Sequence, residues 1–100
     1  MSALLTRQQL ALVIWLGGLH DSHVELYVED SLNGLSWTLR YRRRWADPGG
    51  IPRSSSHMIL AVRKPEDAKC DSKVYAERMG PRVAEARRVF EETIKARSPG

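Results

Sequence analysis

The dipeptide Asn33-Gly34, flanked on both sides by extended runs, constrains this chain more than any other feature. Asn-Gly is the preferred pair for a two-residue type I′ turn, where both central positions need φ > 0. Taking it as the turn fixes a β-hairpin with strands near 23–30 and 35–44. Leu32 then pairs with Leu35, Val28 with Leu39, Leu26 with Tyr41 and Val24 with Arg43. The alternate pairs are Glu29 with Thr38, Tyr27 with Arg40, Glu25 with Arg42 and His23 with Arg44. One face of the hairpin is mostly apolar and the other is charged, as expected of a sheet with one covered side.

A helix precedes the hairpin. Thr6 is a good N-cap, and Gln9 three positions on completes a capping box. Leu5 and Leu10 are placed as a hydrophobic staple, and Gly17 is placed to end the helix in the left-handed conformation. The predicted helix spans about 7–16. Its run Leu10–Leu16 is apolar on all sides, so it needs cover on all sides, and a small domain supplies that poorly. One side is therefore expected to meet a partner or a second copy. A buried strand is the competing reading of Val13-Ile14-Trp15; the cap favours the helix.

After the hairpin, Trp45–Ser56 reads as a long loop by composition. His57–Arg63 reads as a third strand, apolar on both faces and hence expected at the centre of the sheet or covered on both sides. Lys64–Ser72 is a polar connector. Ala76, Met79, Val83, Ala86, Phe90 and Ile94 then form one stripe at the helical period, in phase across Gly80-Pro81. Pro81 lies opposite the stripe, which predicts one kinked helix over about 73–96 rather than two helices.

The expected fold is α+β: an N-terminal helix, a three-stranded antiparallel meander and a long kinked C-terminal helix, with both helices on one face. Residues 1–97 would form a single compact domain and 98–100 a flexible tail. The expected core is Leu10, Val13, Ile14, Val24, Leu26, Val28, Leu39, Tyr41, Leu60, Val62, Val83, Ala86, Phe90 and Ile94, with Trp37 beside Leu39. This element order is similar to that of double-stranded-RNA-binding domains, which touch RNA mainly by shape and phosphate. The resemblance is one of element order. Where those domains carry a Lys-rich start to the last helix, this chain reads Lys64-Pro65-Glu66-Asp67-Ala68-Lys69, which is mixed in charge.

Charge is distributed unevenly. Residues 1–29 carry a net −2, residues 30–63 a net +4 and residues 64–100 a net +2. The excess sits on the second strand and the segment after it, where Arg40, Arg42, Arg43, Arg44, Trp45 and Arg53 cluster. Arginine forks onto phosphate and stacks on bases, so arginine beside Trp and Tyr suits nucleic acid or an acidic or nucleoprotein partner. The predicted register offers a plainer account of two members: Arg42 faces Glu25, and Arg40 lies across from Tyr27. Leu12, Trp15 and Leu16 on the over-apolar helix are the candidate protein-interface positions, usable for another protein or for a homodimer.

No constellation for chemistry stands out. His20-Asp21-Ser22-His23, with His57 or Cys70, supplies residue types for a metal but not the spacing of a zinc site. Ser54–Ser56 beside His57 and a lone Cys70 match no nucleophile rule. Neither Gly17-Gly18 nor Gly49-Gly50 sits in a phosphate-loop pattern. No catalytic residue, metal or cofactor is therefore expected. A single cysteine allows no internal disulfide and fits a reducing, cytoplasmic setting. No apolar run approaches the roughly 20 residues of a membrane span. Leu10–Leu16 behind Arg7 resembles a signal-peptide core but lacks an Ala-x-Ala site. The expectation is a small non-enzymatic binding protein, an accessory or inhibitor protein of the kind mobile, phage-like elements encode. It would dock its basic hairpin face on nucleic acid or an acidic partner. A protein-interaction or homodimerisation module built on the first helix is the alternative.

Overall fold

A computed structural model describes residues 4–66 and 72–97; Cys70 and the expected tail lie outside them. The elements are α1 (Arg7–Gly17), β1 (Ser22–Asp30), β2 (Ser36–Ala46), β3 (Pro52–Arg63), α2 (Ser72–Arg78) and α3 (Gly80–Arg97). The fold is α+β, with an open antiparallel sheet in the order β1-β2-β3 and the helices on one side of it.

The capping box forms as the sequence predicts. The Gln9 N–H donates to Thr6 Oγ1 at 3.1 Å, and the Thr6 N–H donates to Gln9 Oε1 at 2.9 Å. Gly17 is not left-handed; it lies within α1, and the cap is Gly18 in the right-handed region. What Gly17 provides is room. A Cβ there would sit 2.7 Å from Thr93 Cβ and 3.0 Å from the Phe90 carbonyl oxygen, so a side chain would force α3 away.

The β1–β2 register is the predicted one from His23↔Arg44 to Glu29↔Thr38, but the turn differs. Leu32 and Leu35 do not pair; they belong to a four-residue loop closed by the Ser31 N–H donating to the Ser36 carbonyl at 2.9 Å. Asn33 does not adopt positive φ. Its Oδ1 accepts from the Leu35 N–H at 3.0 Å and from the Ser31 hydroxyl at 2.7 Å, and Gly34 alone, at φ 73°, is left-handed. Widening the loop by one residue on each side leaves every pair beyond it unchanged.

The stretch expected as a long loop is mostly strand. β2 runs to Ala46 and β3 starts at Pro52. Asp47 organises the short turn between them: its Oδ1 accepts from the N–H groups of Gly49 and Ile51, each at 2.9 Å. Its carbonyl accepts from Gly50, which takes φ 80°. Asp first, Pro next and a left-handed Gly at the end is the chemistry of a type I turn closing a hairpin.

β3 is an edge strand, not a central one; β2 is central. Its two apolar faces have another cause. Leu39 pairs with Leu60 but Arg40 with Met58, so Ile59 is an extra residue, a β-bulge. Ile59 and Leu60 are consequently both buried, although they are consecutive.

The C-terminal stripe is interrupted at Met79, giving two helices where one kinked helix was expected. Pro81 has no N–H to donate, which opens the ladder there. The Met79 N–H to the Tyr75 carbonyl and the Val83 N–H to the Met79 carbonyl hold the turns on either side at 2.8 and 3.0 Å. Met79, Val83 and Ala86 are buried. Tyr75 of α2 meets Trp37 edge-on, at 5.4 Å between ring centroids.

Val13, Leu16, Leu39, Tyr41, Leu60, Val83 and Ala86 form the core with Leu5, Trp37, Ile59 and Met79; Val24, Leu26, Val28, Val62 and Phe90 pack around them. Leu10 and Ile14 were expected inside but are 37% and 46% exposed. Among the described residues only one side of α1 meets the rest of the molecule, so this all-apolar helix leaves Leu10, Ile14 and Trp15 outside.

Candidate functional site

Alternation along β2 sorts the predicted arginine cluster into two groups. Arg40, Arg42 and Arg44 share the outer face, away from the helices, with Glu25, Tyr27, Glu29 and His23 of β1 and Ser54, Ser56 and Met58 of β3. Arg43, Trp45 and, ahead of the bulge on β3, Arg53 lie on the inner face, on the same side as Tyr41 and His57. The six residues proposed from sequence therefore do not form one patch.

On the outer face the side chains meet one step off the backbone register, a diagonal that sheet twist favours. Arg40 Nε lies 3.2 Å from Glu29 Oε1, and its other end donates to the Ser56 carbonyl at 3.3 Å. The first of these is an ion pair without the alignment of a hydrogen bond. Arg42 does not pair with Glu25; its guanidinium sits 5.2 Å from the centroid of the Tyr27 ring. The Tyr27 hydroxyl bonds to Ser56 Oγ. That bond is the main reason the phenol ionises below its ordinary range, with Arg40 assisting. Arg44 makes no ion pair, hydrogen bond or ring contact among the described residues, and it borders an open furrow of about 510 Å³ with Trp45, Arg53 and Ser54. Thr38, also on this side, is buried and donates to the Glu29 carbonyl at 2.8 Å.

On the inner face the arginines are structural. Arg43 fits between two tryptophans, with its guanidinium 4.4 Å from the Trp45 ring and 5.6 Å from the Trp15 ring. Its Nε donates to Ser22 Oγ at 2.7 Å, and its outer nitrogen approaches Asp21 at 3.5 Å. The Ser22 hydroxyl, then Arg43, hold the Asp21 carboxyl below its usual range. One side chain thus ties α1, the α1–β1 turn and β2 together. Arg53 closes the other hairpin, donating to Asp47 Oδ2 at 3.0 and 3.1 Å. The Ile51 N–H, then Arg53 and the Gly49 N–H, hold the Asp47 carboxyl below its usual range.

The three interface candidates on α1 also separate. Leu16 is a core residue and cannot touch a partner. Leu12 is half-buried against the core. Trp15 is 48% exposed, and Leu10 and Ile14, which sequence reasoning placed inside, lie exposed on the same helix. Gly17 carried the missed signal: where a helix has no side chain, a neighbour comes close, so the exposed side of α1 is the opposite one.

Among the described residues no three of His, Cys, Asp and Glu gather as a cation site. His57 packs its ring 5.7 Å from Tyr41 on the inner side, whereas His23 belongs to the outer face. No described helix is long and apolar enough to cross a membrane. No family model, curated protein or solved structure matches the chain.

Proposed function

We propose that the helix-free face of the sheet binds a polyanion, with nucleic-acid phosphate as the leading ligand, and that the protein acts by occupying that ligand rather than by catalysis. The observation that carries this reading is the row Arg40, Arg42, Arg44 on successive outward positions of the central strand, roughly 6.7 Å apart. Counting Arg63, which shares that face and pairs with Glu66 at 3.9 Å, four arginines stand against Glu25, Glu29 and Glu66, a net charge of +1. Ser54, Ser56 and Tyr27 flank the row with hydroxyls, and Arg, Ser and Tyr are the side chains that commonly donate to phosphate oxygens. Arg44 has no competing partner among the described residues. Arg42 already stacks on an aromatic ring, and a base could extend that stack.

Binding of short single-stranded and duplex DNA and RNA, measured at ~50 and ~200 mM salt, tests the reading. Neutralising about three phosphates should cost roughly 20- to 40-fold in affinity over that range. Arg44→Ala should lower the salt slope by about one and weaken binding without sequence preference. Salt-insensitive binding, or none at ~50 mM salt, would sink it. A second reading, a protein-interaction surface on α1, draws on the exposed Leu10, Ile14 and Trp15. Ile14→Glu separates the two, since it would abolish a complex built on α1 and leave phosphate binding unchanged.

A further inference from the structure

β1 is an edge strand whose free side is uninterrupted. Because Ser31 and Ser36 form a hydrogen-bonded pair, alternation makes Glu29, Tyr27, Glu25 and His23 the residues whose backbone bonds to β2. The N–H and C=O groups of Val24, Leu26 and Val28 therefore face outward. The other edge, β3, carries Pro52 and the Ile59 bulge, both of which discourage strand addition. β1 has neither. The side chains of Val24, Leu26 and Val28 are also unfinished. They are half-buried on the helix side, and beside them lies an open cleft of about 170 Å³ lined by Leu26, Arg87, Phe90 and Glu91.

We propose that this edge pairs antiparallel with β1 of a second copy of the chain, about a two-fold axis at Leu26, to give one six-stranded sheet. The occupant follows from charge. Outward-facing residues must meet outward-facing residues, so the central axis can fall at Glu25, Leu26 or Tyr27. An axis at Glu25 sets Glu25 against itself, and one at Tyr27 sets Glu25 against Glu29; both oppose like charges. An axis at Leu26 sets Val24 against Val28, Glu25 against Tyr27 and His23 against Glu29. It opposes no like charges directly and leaves an unbroken apolar row on the helix side. That row continues onto α3, where Arg87 and Glu91 flank Leu26 and neither makes an ion pair among the described residues. The two-fold brings Arg87 of each copy toward Glu91 of the other. The dimer goes beyond the polyanion reading and does not rest on it, although pairing would set two arginine rows on one continuous face.

The test is the solution mass of the full chain by size-exclusion chromatography with light scattering over a wide dilution series, with amide exchange read alongside. The expected result is a mass twice the 11.4 kDa of the chain at high concentration, with slow exchange at Val24, Leu26 and Val28 that is lost on dilution. Leu26→Pro removes an outward N–H and no bond to β2, and should give monomer. Arg87→Glu, exposed on α3, should weaken the dimer about tenfold, and Arg87→Glu/Glu91→Arg should restore it. A monomer at every concentration overturns the proposal. So does a dimer that keeps its mass in both Leu26→Pro and Arg87→Glu.

Discussion

The two faces of β2 use the same residue types for opposite ends. Arg43 and Arg44 are neighbours in the chain. Arg43 turns inward, is 20% exposed at its side chain and is held by two tryptophans, a serine and an aspartate. Arg44 turns outward and has no partner among the described residues. Alternation, not composition, decides which arginine builds the protein and which is left without a partner among the described residues. A basic cluster in a strand is thus two half-clusters, and only the half away from the helices is free to act.

The sharpest way to break this contrast is to damage the inner face. Leu39→Ala, at a fully buried site, should cost about 2–5 kcal/mol in chemical denaturation, enough to threaten the fold of so small a chain. Arg43→Ala should cost about 1–3 kcal/mol, because it empties the slot between Trp15 and Trp45, leaves Ser22 Oγ without its donor and removes the ion-pair partner of Asp21. Arg43→Lys should recover little of it, since an ammonium lacks the planar fork that stacks and bonds at once. If Arg43→Ala were as silent as a surface change, the latch described here would be wrong.

A subtler effect separates the Asp47 turn from the rest of the sheet. The folded Asp47 carboxyl titrates below its unfolded value of about 3.9. Its contribution is fully present above that value and is lost as pH falls through the folded value. Unfolding followed from neutral pH into acid should show a loss below about pH 4 that is smaller in Asp47→Asn. Smallest of all, Arg44→Ala should change stability by less than about 0.5 kcal/mol while changing the salt dependence of ligand binding. A variant that is neutral in one assay and altered in the other is the clearest sign that the outer face exists for contact.

The register of the first hairpin was legible because side-chain alternation has only two phases, and the apolar run in β1 matches that in β2 in one of them. The turn was not, because two- and four-residue loops centred on Asn33-Gly34 preserve the same pairing; Asn33 chose between them by using its side chain on Leu35. The second hairpin was missed although Asp47, Pro48 and Gly50 spell it out, since Arg53–Ser56 has no apolar member to announce a strand. The fate of each arginine depended on contacts between elements far apart in sequence. Trp15 beside Arg43 could not be read from spacing, and the diagonal offset of Arg42 onto Tyr27 follows from twist rather than from pairing.

The bulge at Ile59 acts as a phase shifter. Up to that point β3 turns its odd-numbered Arg53, Ser55 and His57 inward and stands Ser54 and Ser56 beside the outer arginines; past it, the even-numbered Leu60 and Val62 face the core. Losing that one residue would close the ladder directly from Leu60 to Met58 and leave every other pair, and so the face of every other side chain, unchanged. The open face would keep Ser54 and Ser56 beside its arginines, and the inner layer would lose the buried Ile59 side chain. A single-codon deletion there would straighten β3 without resetting the charge of the exposed surface.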